Sequence, residues 1–216
     1  MSNLYDTDVF SNYLIARLTV SDDATFSKCM RELLEPVFIR RLHWRLLLAG
    51  AANGGKRVHL WQLPEGANLW EGMYTLASSA VYAKLNGVVT QESQELLRLA
   101  PFSPDDLRPE RNQREYFALE QLALAQCWSW VSDWRERLVR LNAEGKAGPE
   151  RWSLYGTFRP QTGDLRRQMH VWRLDAADKH REHGNANEAG QDSRGNKVVV
   201  GAVPIEVYEA IPYSSN

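Results

Sequence analysis

The chain has 216 residues, 44% of them hydrophobic and 25% charged, a balance typical of ordinary globular proteins. Its 26 basic and 27 acidic residues leave a formal net charge of −1, which argues against nucleic acid or an anionic membrane surface as a partner. No apolar run approaches the roughly 20 residues that a membrane-spanning helix needs, and the first residues lack the pattern of a secretory signal. Two cysteines cannot form a disulfide scaffold. We therefore expect a cytoplasmic protein that contacts neither membrane nor nucleic acid.

The first half of the chain alternates between strand and helix patterns. Residues 13–20 alternate in polarity, which predicts a strand, and the segment 21–23, with the sequence SDD, supplies N-cap chemistry for a helix over 24–42. Pro36 should kink or end that helix near Glu35. The elements expected next are a strand at 44–49, a glycine turn, a strand at 57–63, a helix at 69–85 and a strand at 95–102. This β-α-β-β-α-β order is that of a ferredoxin-like unit.

The second half repeats the same order after a linker at 104–113 that is rich in proline and charge. Its expected elements are strands at 116–125, 152–158, 167–174 and 203–211, with helices at 128–141 and from 175 to about 188. We therefore predict a first unit at 1–103 and a second unit at 114–216.

The strongest pattern in the chain is a repeated strand. Val58–Trp61, with the sequence VHLW, recurs as Met169–Trp172, with the sequence MHVW, 111 positions later. Pro101 recurs as Pro212 at the same interval. A constant spacing between two separate landmarks predicts a tandem duplication.

Strand parity divides the side chains of the repeated strand between two faces of a sheet. We expect Val58 and Leu60 to pack on the helices, and His59 and Trp61 to lie on the opposite, uncovered face together with Tyr13. Two uncovered faces would pack on each other across an approximate twofold axis. The predicted fold class is therefore α+β, with two fused ferredoxin-like units forming one intramolecular pseudo-twofold α+β barrel. Its eight strands would enclose either a side-chain core or a cavity for a small molecule.

Each unit resembles the NIPSNAP-like family of the dimeric α+β barrel superfamily. The resemblance rests on the glycine turns that enter the strands Val58–Trp61 and Met169–Trp172, and on the proline-aromatic pairs at 101–102 and 212–213. It implies a ferredoxin-like fold in two copies over nearly the whole chain. For function it implies the range of the superfamily, which includes cofactor-independent monooxygenases, small-ring isomerases, polyketide cyclases, haem enzymes and proteins of unknown role.

His59 and His170 are the first candidates for catalysis, because a neutral imidazole beside an indole suits general acid/base chemistry or ligand orientation. A structural role, in which both rings bond a neighbouring strand, stays open. Tyr155 is a third candidate, since a phenol can donate a hydrogen bond to a carbonyl or an enolate. It could equally be filler in a large barrel.

A charged pair is the second candidate feature. Aligning Tyr13 with Tyr116 places Arg17 at the position of Glu120, and the two could orient a polar group of a substrate or form an ordinary ion pair at the rim. The complete set of candidate site residues is catalytic His59, His170 and Tyr155, with substrate-binding Arg17, Glu120, Tyr13, Tyr116, Trp61, Trp172 and Tyr208.

The segment after residue 177 is too polar and glycine-rich for a packed helix. His180 and His183 lie three apart, a spacing that suits a metal, but in so polar a segment we expect surface histidines and no metal site. We expect 184–197 to act as a mobile lid over a single, asymmetric site. No phosphate-binding, dinucleotide-binding, serine-hydrolase or zinc-protease motif occurs, so no cofactor is predicted, although haem stays open.

The function expected from these residues is that of an enzyme that acts on an aromatic or polyketide-like metabolite by general acid/base chemistry. Its type would be a cyclase, an isomerase or a cofactor-independent monooxygenase of secondary metabolism. The alternatives are a non-catalytic binding or scaffold protein of NIPSNAP type and a haem enzyme of the same superfamily. The expected partner is a small-molecule substrate, and the expected state is a monomer with an internal pseudo-dimer or a homodimer.

Overall fold

The computed structural model describes residues 12–99, 116–124, 153–164, 166–174 and 199–213. They divide into two compact units. The N-terminal unit contains the described residues of 12–96 and 210–213, and the C-terminal unit contains those of 97–209. The predicted boundaries at 1–103, 104–113 and 114–216 stay a prediction, because the linker lies outside the described residues.

The N-terminal unit has the ferredoxin-like order of elements. These are β1 (Asn12–Val20), α1 (Asp23–Leu33), a π-helical segment (Leu34–Ile39), β2 (Arg45–Ala52), β3 (Lys56–Leu63), α2 (Leu69–Ala77), α3 (Ala80–Val88) and β4 (Val89–Leu99), whose last three residues belong to the C-terminal unit. β3 pairs antiparallel with β1 and with β2, and β4 lies beside β1. The strand order β4-β1-β3-β2 is the one that the sequence pattern predicts.

Helix α1 begins at the predicted cap. The side chain of Asp22 accepts a hydrogen bond from the backbone N–H of Thr25 at 3.1 Å. The regular helix ends at Leu33, and the chain continues as a π-helical segment that contains Pro36. Proline lacks a backbone N–H and its ring clashes with the preceding turn, so a regular α-helix cannot continue through it. The predicted interruption at Pro36 is confirmed.

The turn between β2 and β3 depends on glycine. Gly54 and Gly55 have φ angles of 74° and 72°, in the left-handed region. A Cβ atom on Gly55 would lie 2.2 Å from the carbonyl oxygen of Val20. The absence of a side chain therefore lets the start of β3 pass close to the end of β1, where the N–H of Val20 donates to the carbonyl of Gly55 at 2.9 Å.

The predicted helix over 69–85 is wrong as a single element, because two serines divide it. The N–H of Ser78 donates to the carbonyl of Tyr74 at the end of α2, and the side chain of Ser79 accepts from the N–H of Val81 at the start of α3. Serine favours such caps over helix interiors. The fourth strand begins at Val89 and not at residue 95, because α3 ends directly before it.

The C-terminal unit contains β5 (Tyr116–Leu124), β6 (Ser153–Pro160), β7 (Arg167–Leu174) and β8 (Val199–Ala210). β5 pairs antiparallel with β7 and β8, and β6 pairs with β7. Leu97–Leu99 of β4 pair with β6 at the edge of this sheet. The strand order β8-β5-β7-β6 matches that of the N-terminal unit. The helices predicted at 128–141 and 175–188, with His180, His183 and the segment 184–197, lie outside the described residues.

Both units carry an irregularity at the same place. The pairing of β2 with β3 shifts by one residue at Leu47, and the pairing of β6 with β7 shifts at Tyr155. A bulge of this kind inserts one unpaired residue and reverses the alternation of faces beyond it. The shared bulge supports the predicted repeat.

The predicted fold class is confirmed: the protein is α+β, with eight antiparallel strands. In the described part of the chain, no helix has both the length and the apolar composition needed to cross a membrane.

Candidate functional site

A cavity of about 70 Å³ lies in the N-terminal unit, between one face of the sheet and the helices. A water molecule needs roughly 10–15 Å³ by this measure, so the enclosed space suits a molecule of about five or six non-hydrogen atoms. Most of the lining side chains are apolar, among them Leu14, Met30, Phe38, Trp44, Trp61 and Leu76.

His59 is the one buried polar residue among the described residues that line the cavity. Its ring stacks on Phe26 of α1 at 5.8 Å between centroids and lies edge-on to Trp61 at 6.0 Å. The Nε2 atom of His59 is 3.0 Å from the hydroxyl oxygen of Tyr213. Tyr213 follows β8, and the N–H of Ile211 in the same segment donates to the carbonyl of Ala49 in β2 at 2.8 Å. The segment 210–213 thus fixes the orientation of the imidazole.

The histidine and the tyrosine are both neutral. Burial lowers the pKa of His59 to about 3, with a smaller contribution from the positive charge of Arg57. Burial also raises the pKa of Tyr213 above its ordinary range. Arg57 itself is buried and pairs with Asp23, so its charge is held close to the site. An imidazole with so low a pKa is a weak base at neutral pH, but it remains a good hydrogen-bond donor.

The mouth of the cavity is polar and lies between α3 and β4. Asn86, Glu92 and Gln94 line it and are exposed, while Tyr82 is half-buried. Burial raises the pKa of Tyr82, and the charge of Glu92 adds to this shift. The site therefore combines an apolar interior, one buried imidazole and an entrance with one carboxylate.

The predicted orientation of His59 and Trp61 is wrong. The ring of His59 packs on Phe26 of α1, and that of Trp61 packs on Phe38 of the π-helical segment. Both side chains therefore lie on the face that the helices cover. Tyr13, whose partner is Gln62, alternates to the opposite face. Aromatic and histidine side chains fit the space under the helices because helices cannot lie flush on a sheet, and large rings fill the gap.

The second histidine lies in a polar environment of the C-terminal unit. The Nδ1 atom of His170 is 2.9 Å from the hydroxyl oxygen of Thr157, and its Nε2 atom is 3.3 Å from the amide nitrogen of Gln168. Glu120, the strand partner of His170, accepts a hydrogen bond from Nε1 of Trp172 at 2.9 Å. Burial lowers the pKa of His170 to about 3 and raises that of Glu120, while the bond from Trp172 opposes the second shift.

The predicted pairing of Arg17 with Glu120 is wrong. Ala16 of β1 is the strand partner of His59, and Glu120 of β5 is the strand partner of His170. Ala16, and not Arg17, therefore corresponds to Glu120. Tyr13 likewise corresponds to Phe117, so the alignment of Tyr13 with Tyr116 is displaced by one residue. Arg17 forms a 4.0 Å ion pair with Glu95 instead.

The other predicted site residues lie apart from the histidines. Tyr155 packs under the guanidinium of Arg173, 4.7 Å from the ring centroid, and the bulge puts it on the opposite face from Thr157 and His170. The hydroxyl of Tyr208 donates to Glu206 at 2.9 Å. Tyr116 is half-buried and is paired with Leu174. The structure therefore brings together His59 with Trp61, and His170 with Glu120 and Trp172.

Sequence reasoning missed Tyr213 and the residues of the mouth. The repeated proline-aromatic landmark was a signal for Tyr213, since an aromatic residue kept at a fixed spacing from the histidine strand has a role in packing or in the site. The exposed Asn86, Glu92 and Gln94 carry no such signal.

The described histidines do not fit a haem. A histidine that ligates haem iron needs a ring nitrogen that points into an open space. The Nε2 of His59 is bonded to Tyr213, and both ring nitrogens of His170 have partners in Thr157 and Gln168. The cavity in the N-terminal unit is also too small for a porphyrin. Among the described residues, no cluster of three or more His, Cys, Asp or Glu side chains could hold a metal ion.

No family model matches the chain, and no curated protein matches its sequence. Solved structures do resemble it over nearly its whole length. A haem-binding protein from Thermus thermophilus is 12% identical, with a TM-score of 0.52 over 94% of this chain and 92% of that one. An anthrone oxidase-like protein is 10% identical, with a TM-score of 0.52 over 94% and 92%.

A third similar structure is a mutant chlorite dismutase from Candidatus Nitrospira defluvii, 10% identical, with a TM-score of 0.54 over 96% of this chain and 93% of that one. At such low identities the likeness shows the fold alone. The NIPSNAP-like assignment within the superfamily stays a prediction. The chain shares an α+β fold with these three proteins.

Proposed function

We propose that the protein is a small-molecule enzyme whose N-terminal unit binds a small, mainly apolar metabolite, with one carbonyl or hydroxyl oxygen of that molecule bonded to His59. The observation that carries the proposal is a buried, neutral imidazole in an apolar cavity that has a polar mouth. Reactions of the cyclase, isomerase or cofactor-independent monooxygenase type suit such a site. The similarity in fold to an anthrone oxidase-like protein supports this class.

The role proposed for His59 is hydrogen-bond donation. Tyr213 keeps its proton, because burial raises the pKa of its hydroxyl. We propose that its O–H donates to Nε2 of His59, 3.0 Å away, which places the imidazole proton on Nδ1, where it is available to an oxygen of the ligand. A neutral donor in an apolar cavity can polarise a carbonyl and stabilise the enolate that forms from it. This role replaces general-base catalysis, for which the pKa of His59 is too low.

The test uses cyclopentanone, which has six non-hydrogen atoms and fits the enclosed space, and methylenecyclopentane, which has the same shape without the carbonyl oxygen. We expect cyclopentanone to shift the indole N–H signals of Trp44 and Trp61 in NMR titrations. We expect its affinity to exceed that of methylenecyclopentane by about fivefold, the effect of one hydrogen bond. The variant Ala16→Leu should abolish binding, because it fills the cavity without removing His59 or Tyr213.

A matched control comes from the second histidine. His59→Gln should remove the preference for the ketone, whereas His170→Gln, at the corresponding position of the C-terminal unit, should retain it. Equal affinity of both probes in the unaltered protein would contradict the role of His59. Binding of ketones without turnover of any aromatic or polyketide-like ketone would leave a non-catalytic binding protein instead.

A further inference from the structure

The C-terminal unit differs from the N-terminal unit at the positions that surround its histidine. Where the N-terminal unit has Ala16 and Ala49 beside His59, the C-terminal unit has Glu120 and Thr157 beside His170. The same face of the sheet is therefore apolar in one unit and polar in the other. Burying a carboxyl, a hydroxyl and an amide costs free energy unless each finds a partner, so the polar set needs an explanation.

The hydrogen bonds in this cluster fix the tautomer of the histidine. The amide nitrogen of Gln168 can only donate, so Nε2 of His170 accepts and its proton lies on Nδ1. Nδ1 then donates to the hydroxyl oxygen of Thr157. Trp172 donates to the carboxyl of Glu120. The N–H groups of both rings are thus bonded within the cluster, and the acceptors beside them are the carboxyl of Glu120 and the amide oxygen of Gln168.

One acceptor in the cluster is left over. Gln168 is 1% exposed, and its amide oxygen Oε1 has no hydrogen-bond partner among the residues that the structure describes. Such a group usually costs about 1–3 kcal/mol when it is buried without a donor. Leu122 is the strand partner of Gln168, which makes Glu120 its diagonal neighbour on the same face. Within the described residues, no lysine or arginine pairs with Glu120.

We propose that the C-terminal unit has a second ligand site, in which the ammonium group of a small primary amine donates hydrogen bonds to Oε1 of Gln168 and to the carboxylate of Glu120. An ammonium has three N–H donors and no acceptor, which complements the amide oxygen of Gln168 and the carboxylate of Glu120. Its charge balances the buried carboxylate, as a buried ion pair requires. This site is separate from the cavity at His59 and does not depend on the function proposed for it.

The test uses n-butylamine, butan-1-ol and butyrate, which share one alkyl chain and carry a cationic, a neutral and an anionic head group. We expect saturable binding of n-butylamine to the full chain carrying Ala16→Leu, which fills the cavity at His59, by isothermal titration calorimetry at pH 7.5, at least tenfold tighter than the binding of butan-1-ol. In the same background, Glu120→Gln should weaken the binding of n-butylamine roughly tenfold or more, because it replaces a charge-assisted hydrogen bond by a neutral one.

A second variant guards against loss of the fold in Glu120→Gln. Gln168→Met keeps the volume and removes both the unpaired acceptor and the donor to His170, so its own Tm is the reference, and the rise in Tm that n-butylamine gives should be abolished. No saturable binding of n-butylamine at millimolar concentrations would overturn the site and leave a buried water as the partner of Gln168. Preference for butyrate, or equal affinity in Glu120→Gln, would overturn it as well.

Discussion

The hydroxyl oxygen of Tyr213 lies 3.0 Å from Nε2 of His59, although 154 positions separate the two residues in the chain. The contact lies within the N-terminal unit, because residues 210–213 belong to it. The segment after β8 thus completes a site whose other described parts come from the first hundred residues.

Tyr213→Phe should reduce the free energy of unfolding by about 1–3 kcal/mol, because Nε2 of His59 would be left without a partner in a buried position. The ring and its packing are kept, so the change isolates the hydroxyl group. Urea denaturation of both proteins measures the difference. A midpoint equal to that of the unaltered chain would mean that the hydrogen bond contributes nothing.

A chain truncated after Glu209 should lose more stability than the variant Tyr213→Phe. It lacks the bond from the N–H of Ile211 to the carbonyl of Ala49 and exposes the core residues that Tyr213 covers. We expect a lower Tm and increased binding of a hydrophobic dye, since a new apolar surface becomes accessible. A Tm unchanged from the full chain would show that the segment is dispensable.

Gly72→Ala should destabilise the protein by about 1–3 kcal/mol through overpacking. A Cβ atom at residue 72 of α2 would lie 2.6 Å from the indole of Trp44, which also lines the cavity. The variant should therefore also weaken the binding of cyclopentanone. Gly87→Ala is the matched control, because a Cβ atom there meets nothing within 4 Å in helix α3. It should leave stability unchanged or raise it by up to about 1 kcal/mol.

Stability should fall when the pH is lowered from 7.5 to 5. The pKa of His59 and that of His170 are about 3 in the folded protein, against about 6.5 when unfolded. Between these values the unfolded chain binds protons that the folded chain does not. The contribution of the two neutral histidines to the free energy of unfolding is thus complete above pH 6.5 and is lost as the pH falls toward 3. Each histidine loses up to about 1.4 kcal/mol of this contribution per pH unit.

The urea midpoint at several pH values measures this effect. His59→Gln and His170→Gln should each reduce the dependence on pH. The raised pKa of Glu120 acts in the opposite direction, since it favours the folded state at lower pH. A midpoint that is constant between pH 7.5 and 5 in the unaltered protein would contradict the burial of neutral histidines.

The strand order could be predicted from the sequence because alternation, caps and glycine turns are local signals. Asp22, Pro36 and Gly55 each act where the pattern placed them. The face of His59 could not be predicted in this way, since parity says only that neighbours alternate and not which side the helices cover. Hydrophobicity suggested the aliphatic side, whereas the space below the helices is filled by rings such as Trp61.

The bulges explain a second error. In a regular strand Tyr155 and Thr157 would lie on one face, but an inserted residue reverses the alternation between them. The correspondence of Ala16 with Glu120 was missed for a related reason. The interval between β1 and β5 differs from the 111 positions that separate His59 in β3 from His170 in β7. Only the pairing of the strands reveals this difference. Tyr213 could not be placed at His59 because a contact over so long a separation leaves no local pattern.

The position of Tyr213 also sets the order in which the site can form during synthesis. His59 leaves the ribosome 154 residues before its partner Tyr213. Until Tyr213 is synthesised, the imidazole of His59 lacks this hydrogen bond and the carbonyl of Ala49 in β2 lacks its bond from Ile211. Contacts of such high sequence separation form slowly, and the waiting intermediate exposes strand edges that can pair with other chains. Ribosome-bound chains that end before residue 210 are therefore where aggregation, or help from chaperones, would be concentrated.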